Sequence, residues 1–290
     1  MIVKSLAIGK AKGSAGNLTY TTIGDATIAK GKVAFPRNPK TYAQMERRVR
    51  LANLVNLYQA MRPYKRMAFQ LAEGRVSDYN LFISRNINTT IVYLTDKQAM
   101  QGAAVACGVM VTEGELPVIG NSLSSGVLVS DIQLGTFAFD EGSTVGEFSN
   151  AVIAANGERF RNGDQISLIY LDQKINVTTT IPYVAIHVAE VTLNSQDESE
   201  IADFVDPDLF SKVDGYLGMG AALNGAAAFI HSRIGVDGAT LVSTQRLIVA
   251  NNILPTYQSS TARDNAIISY GGDLTAAFLT PNITDVQAPV

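Results

Sequence analysis

The chain has 290 residues, of which 47% are apolar and 17% charged, with a net charge of −3 and one cysteine. That length suits two domains at about 100–200 residues each, and the apolar share is ample for a core. A lone Cys107 excludes an internal disulfide and a multi-cysteine zinc site, and no run of about 18 apolar residues is present to cross a membrane.

The net charge hides a split. Residues 1–70 hold thirteen Lys or Arg against two acids, Asp25 and Glu46, whereas residues 71–290 hold ten against twenty-four acids. Such a split predicts that the first part meets a polyanion or an acidic protein surface, the second part of another copy included. A solvated basic helix is the plainer alternative. The charged fraction is below the roughly 25% of an average soluble chain, which suits a protein that buries much of itself against neighbours. The first residues lack a 7–15-residue apolar run and a cleavage site, so no signal peptide is expected. Synthesis and assembly in the cytosol follow as expectations.

In chain order, residues 1–40 read as a glycine-rich basic arm and hairpin. Gly9, Gly13 and Gly16 among Lys, Ser and Ala predict a segment that orders on a partner surface. Residues 17–23 and 26–29 are β-prone runs around Gly24-Asp25, a hairpin signal with Gly24 at the positive φ of a II′ turn. Pro36 and Pro39 close the extended region.

Residues 41–90 read as a helical unit. Thr41 followed by Gln44 is a capping-box pattern. Met45, Val49, Ala52, Leu54, Val55 and Tyr58 keep helical spacing, and Arg47, Arg48 and Arg50 make a basic patch. Pro63 ends that helix. A second helix is expected on Tyr64, Met67, Ala68 and Leu71 up to Gly74. Ser77 is expected to cap a third, with Tyr79, Phe82 and Ile83 on its apolar face.

From Ile91 the period changes. Residues 91–196 read as a β domain, with strands at 91–94, 105–112, 127–134, 166–171 and 183–193, a helix or loop at 97–106 and a short helix at 148–155. Residues 197–290 read as a second β-rich portion. It opens with an acidic linker, residues 197–214, and holds a hairpin of 226–234 and 239–249 around Gly235-Val-Asp-Gly238. The expected fold class is α+β: an N-terminal hairpin and short helical unit, then a mainly antiparallel, sandwich-like β region.

Reactive chemistry has little to build on. His187 and His231 are the two histidines. Each sits within a strand pattern, where a hydrogen-bonded strand-face imidazole is the ordinary role, and neither belongs to a metal motif such as H-E-x-x-H. Gly9-Lys-Ala-Lys-Gly-Ser-Ala-Gly16 lacks the order of a phosphate loop, and Gly218-Met-Gly220 does not extend to a dinucleotide fingerprint. The acids Asp203, Asp206, Asp208 and Asp214 lack calcium-loop order. No catalytic residue, cofactor or metal site is expected. Lys10, Lys12, Arg62, Lys65 and Arg66 are candidates for sequence-independent contact with nucleic-acid phosphates. No base-reading module accompanies them.

The first 90 residues resemble a family of uncharacterised proteins from Bacteroidetes genomes and their phages, including crAss-like gut phages. The shared features are Gly9-x-x-x-Gly13-Ser-Ala-Gly16-Asn17, Lys30-Gly-Lys32, Pro36-Arg-Asn-Pro39 with the Thr41-x-x-Gln44 helix start, and Ser77-Asp-Tyr-Asn-Leu-Phe-Ile-Ser-Arg-Asn86. Val242-Ser-Thr-Gln-Arg246 is similar to that family's later β portion. The family lends no activity and no catalytic residues. The resemblance implies a virion-associated or mobile-element structural role, and the expected placement is a homo-oligomeric ring at the portal, neck or head–tail connector, or a capsid-associated component. Its partners would be other virion proteins (portal, capsid or tail components), with DNA contact of the backbone type and no membrane. The expected interface residues are Leu18, Tyr20, Ile23, Phe35, Arg47, Arg48 and Arg50. A β-sandwich binding module for carbohydrate or peptide is the alternative, and an enzyme built on His187 or His231 a third reading.

Overall fold

The computed structural model describes residues 2–3, 12–23, 26–32, 40–64, 77–236 and 238–272. The chain divides into two compact units, Met1–Lys40 with Glu73–Ser77, and Thr41–Ala72 with Asp78–Val290. The fold is α+β with mainly antiparallel sheets, as its alternating and helical periods predict.

The first unit is one antiparallel sheet. Its strands are β1 (Ile2–Val3), β2 (Gly13–Ala15), β3 (Leu18–Ile23) and β4 (Ala26–Gly31), in the order β1-β4-β3-β2. The expected β3–β4 hairpin is present, with Leu18 opposite Gly31 and Ile23 opposite Ala26. A second hairpin adds β2 through Gly16-Asn17, where Gly16 has φ +56°. Glycine takes that left-handed conformation at little cost. Part of the segment read as an unstructured arm is therefore a strand. The second helix expected at 64–74 lies, apart from Tyr64, outside the described residues.

The second unit begins with α1 (Tyr42–Ala60), α2 (Asp78–Asn86) and α3 (Asp96–Met100). Thr41 is the N-cap of α1, but its side chain makes no capping hydrogen bond. Reciprocal capping boxes form instead at Thr95 with Gln98, opening α3, and at Thr144 with Glu147, opening α4 (Val145–Ala155). Residues 91–94, expected as a strand, belong to none, and the Tyr93 N–H bonds the Tyr257 carbonyl at 2.9 Å.

The β region holds β5 (Met110–Thr112), β6 (Asn121–Ser124), β7 (Val127–Gln133), β8 (Gln165–Ile175), β9 (Pro182–Thr192), β10 (Ser211–Val213), β11 (Tyr216–Gly218), β12 (Gly225–Ile234), β13 (Thr240–Val242), β14 (Gln245–Arg246) and β15 (Ile248–Ala250). The larger sheet runs β13-β12-β8-β9, with β15 also on β12, and the smaller runs β10-β11-β7-β6. Because β12 pairs with β8 over Gly225–Ser232, the expected boundary between residues 91–196 and 197–290 falls inside one sheet. The acidic segment is not a linker either: Ile201, Val205 and Phe210 from it are buried, and Asp214-Gly215 turns β10 into β11.

Two cores flank the larger sheet, sorted by strand alternation. Ile169, Leu171, Ala226, Ala228 and Ile230 face one core with Leu54 and Leu57 of α1 and Phe82 of α2. Ile166, Leu168, Ala227 and Phe229 face the other with Phe148 of α4, Leu128 and Ile132 of β7 and Leu217 of β11. The sandwich-like packing of two sheets therefore holds on one face, and helices cover the other. Helices α5 (Leu254–Gln258) and α6 (Ser260–Ser269) close the described chain. Ala266 and Ile267 of α6 pack on Met45 and Val49 of α1.

Residues 103–109 are largely buried but form no strand, and the Val109 N–H turns back onto the Cys107 carbonyl at 2.7 Å. Side-chain amides take the place of a neighbouring strand. Asn53 of α1 accepts from the Val105 N–H (2.8 Å) and donates to the Val105 carbonyl (3.0 Å). Gln173 of β8 accepts from the Ala106 N–H (2.7 Å) and donates to the Ala104 carbonyl (3.3 Å). Asn86 of α2 does the same for both groups of Met110. The apolar run 105–112 therefore reads as a strand, yet only Met110–Thr112 pairs as one, with β14.

Candidate interaction site

The first-unit sheet has little to bury. From Lys12 to Leu18 every side chain is exposed, Leu18 at 41%, and residues 19–22, Tyr20 among them, are half-buried. Among the described side chains of this sheet, Thr27 and Ala29 are buried. Lys12, Lys30 and Lys32 are exposed around it. Hydrophobic stabilisation follows apolar area removed from water, so this sheet gains little from its own packing. Of the residues expected at the interface or on nucleic acid, Lys10, Phe35, Lys65, Arg66 and the Ile23 side chain lie outside the described residues.

Helix α1 separates its arginines. Arg47 and Arg48 are exposed. Arg50 is half-buried and forms an i,i+4 ion pair with Glu46, so its charge is already matched within the helix. Arg62, two residues beyond α1, is exposed at an open cleft of about 480 Å³ with Tyr58, Tyr64, Asp78 and Tyr79. The exposed arginines of α1 are Arg47 and Arg48, on one helical turn, and Arg62 lies elsewhere.

Both histidines meet a carboxylate, in different settings. His231 on β12 is fully buried, its Nε2 2.9 Å from Asp164 Oδ2. An ionised carboxylate only accepts, so Nε2 carries the hydrogen. Arg233, next on the same face of β12, donates from Nε and Nη2 to the two Asp164 oxygens at 2.6 Å each. Burial alone would raise the Asp164 carboxyl, but the Arg233 and His231 hydrogen bonds win and hold it at about 2. Phe160 covers the imidazole, with ring centroids 4.7 Å apart. Ser243 is close, but its Oγ accepts from the His231 backbone N–H rather than facing the ring. The cluster is an ion pair whose carboxylate and imidazole are buried and whose arginines reach toward the surface.

His187 on β9 is 43% exposed. It stacks on Tyr170 at 5.5 Å and lies 4.0 Å from Asp172, which also meets Lys174 at 3.2 Å and the Asn224 amide at 3.1 Å. Burial pushes the Tyr170 phenol up to about 12, and its hydroxyl bonds the Asn224 carbonyl. Tyr170 is thus a fixed donor at neutral pH rather than a base. Cys107 is buried, and burial pushes its thiol up to about 12, so the thiolate needed for nucleophilic attack is scarce. Among the described residues no three His, Cys, Asp or Glu converge as metal ligands, and no helix is long and apolar enough to cross a membrane.

Sequence reading missed Asp164 and Arg233. The signal was available: His231-Ser-Arg233 alternates onto one face, and Asn162-Gly163-Asp164 is a turn leading into the partner strand. No family model, curated protein or solved structure matches this chain.

Proposed function

We propose that this chain is a structural component of a phage virion, acting by fit to neighbouring subunits rather than by catalysis. It would be made in the host cytoplasm and built into a homo-oligomeric ring at the portal or neck, or onto the capsid. The observation that carries the reading is the first-unit sheet, whose described side chains are mostly exposed and whose described charges, Lys12, Lys30 and Lys32, are cationic. Such a sheet gains stability when a second surface covers it, and the acidic remainder of another subunit has the matching charge. The resemblance of residues 9–86 and 242–246 to phage-encoded proteins supplies the setting.

The test is the mass of the purified chain in solution with and without residues 1–40. A defined oligomer whose copy number falls on truncation supports the reading; the same copy number for both refutes it. Mass spectrometry of purified virions checks the setting directly. If Arg47 and Arg48 meet DNA, retention on it falls steeply with salt and weakens in Arg47→Glu/Arg48→Glu. Unchanged retention assigns those arginines to protein contact instead.

A further inference from the structure

Strand β9 leaves one edge of the larger sheet open. It runs eleven residues, Pro182–Thr192, and among the described residues pairs only with β8, in unbroken register from Gln165 opposite Thr192 to Ile175 opposite Pro182. The bonds at its two ends fix which way each residue turns. The Leu193 N–H donates to the Asp164 carbonyl, and the Asn176 N–H donates to the Ile181 carbonyl. Odd-numbered residues therefore direct their backbone groups to β8. Val184, Ile186, Val188, Glu190 and Thr192 turn N–H and C=O outward, where among the described residues they have no partner.

Proteins ordinarily protect such an edge with a bulge, an internal proline, inward-pointing charges or very short length. The smaller sheet uses shortness: β10 has three residues and β6 four. β9 has one such charge, Glu190 near its end, on the face whose Val184, Ile186 and Val188 pack on the helix-side core, and none of the other devices. Its proline is the first residue, where the carbonyl already accepts from the Ala104 N–H.

We propose that this edge pairs with β9 of a second copy of the chain, antiparallel, about a two-fold axis through Val188. The free residues are spaced evenly about Val188. That register alone sets every outward residue opposite another: Val188 on itself, Ile186 on Glu190, Val184 on Thr192. About ten backbone hydrogen bonds form, two per facing pair. Glu190 then meets Ile186, whereas an axis through Glu190 would set like charges directly opposite. An axis through His187 would leave Thr192 facing Pro182, which has no N–H. The match of the edge to itself, in spacing and in charge, selects a second copy over an unrelated strand. The pairing involves no residue of the N-terminal sheet, so it stands or falls apart from the role proposed for that sheet.

The test uses the full chain with Val188→Cys under mild oxidation. The two introduced thiols face each other across the axis, so a dimer band reversed by reductant is expected. Wild type gives none, because Cys107 is buried, and Thr192→Cys gives little, because position 192 faces 184. Val188→Pro removes an outward N–H without touching the β8 ladder. It should weaken self-association in sedimentation at least tenfold, with the circular-dichroism spectrum checking the fold. Crosslinking of Val188→Cys no better than that of Thr192→Cys overturns the proposal. So does an unchanged association constant in Val188→Pro, or growth into open chains rather than dimers, which would mean that another segment fills the edge.

Discussion

Replacing Asn53 by alanine tests whether amide side chains hold the core together. The Asn53 side chain is buried and binds both backbone groups of Val105, at 2.8 and 3.0 Å. Its loss strands a buried N–H and a buried C=O, at about 1–3 kcal/mol each, so Asn53→Ala should cost about 2–6 kcal/mol. That is a large share of the roughly 5–15 kcal/mol that holds a domain folded. Asn56, on the same helix, donates to the Ala99 and Ala103 carbonyls from a half-buried position. Water can replace it there, and Asn56→Ala should cost about 1 kcal/mol or less. Urea unfolding of the three proteins measures this, with an unchanged slope showing that the same surface is exposed. Hydrogen exchange at Val105 should accelerate most in Asn53→Ala. A midpoint for Asn53→Ala within about 0.5 kcal/mol of wild type, or a greater loss in Asn56→Ala, refutes the reasoning.

The Asp164 carboxyl lies at about 2 rather than 3.8. Ionised Asp164 therefore stabilises the fold by on the order of 2 kcal/mol, present above pH ~4 and lost as pH falls toward 2. Asp164→Asn should therefore lower stability at pH 7 and flatten its fall between pH 4 and 2, read by thermal melts across that range. Cys107 should resist a thiol reagent at pH 8 in the native protein and react on unfolding; fast native labelling would place it outside the core. Gly225 has φ +137°, and a Cβ there would sit 2.0 Å from the Leu171 carbonyl oxygen. Gly225→Ala should shift the start of β12 and lower the melting temperature more than Gly142→Ala, where a Cβ meets nothing within 4 Å.

Legibility in the sequence followed the locality of each cause. The β3–β4 hairpin, α1, α4, β8, β9 and β12 each carry their own period, and their positions can be read within a few residues. The sheet joining β8 to β12 cannot, because its partners run from Asp172 with Gly225 to Gln165 with Ser232, far apart in sequence, and the acidic segment between them looks like a boundary. Phe210 and Val205 in that segment are the contrary signal, since a solvated linker has no use for them. Helices α5 and α6 escape a reading by period, although Pro255 near the first helical position and Ser259 as N-cap mark their starts. The free edge of β9 is invisible, because a strand's own sequence does not say how many neighbours it has.

The run 105–112 shows most plainly why a period can mislead. Its apolar pattern demands burial, and burial demands partners for every N–H and C=O. A strand meets that demand with another strand. Here α1, α2 and β8 meet it with Asn53, Asn86 and Gln173, because an amide offers a donor and an acceptor together and carries no charge to desolvate. An aspartate at any of these places could accept from the N–H but would set an anion against the carbonyl. The low charge of the chain and its buried amides are thus two sides of one solution. With helices laid over one face of the larger sheet, side chains must complete the backbone bonding that a second sheet would have supplied.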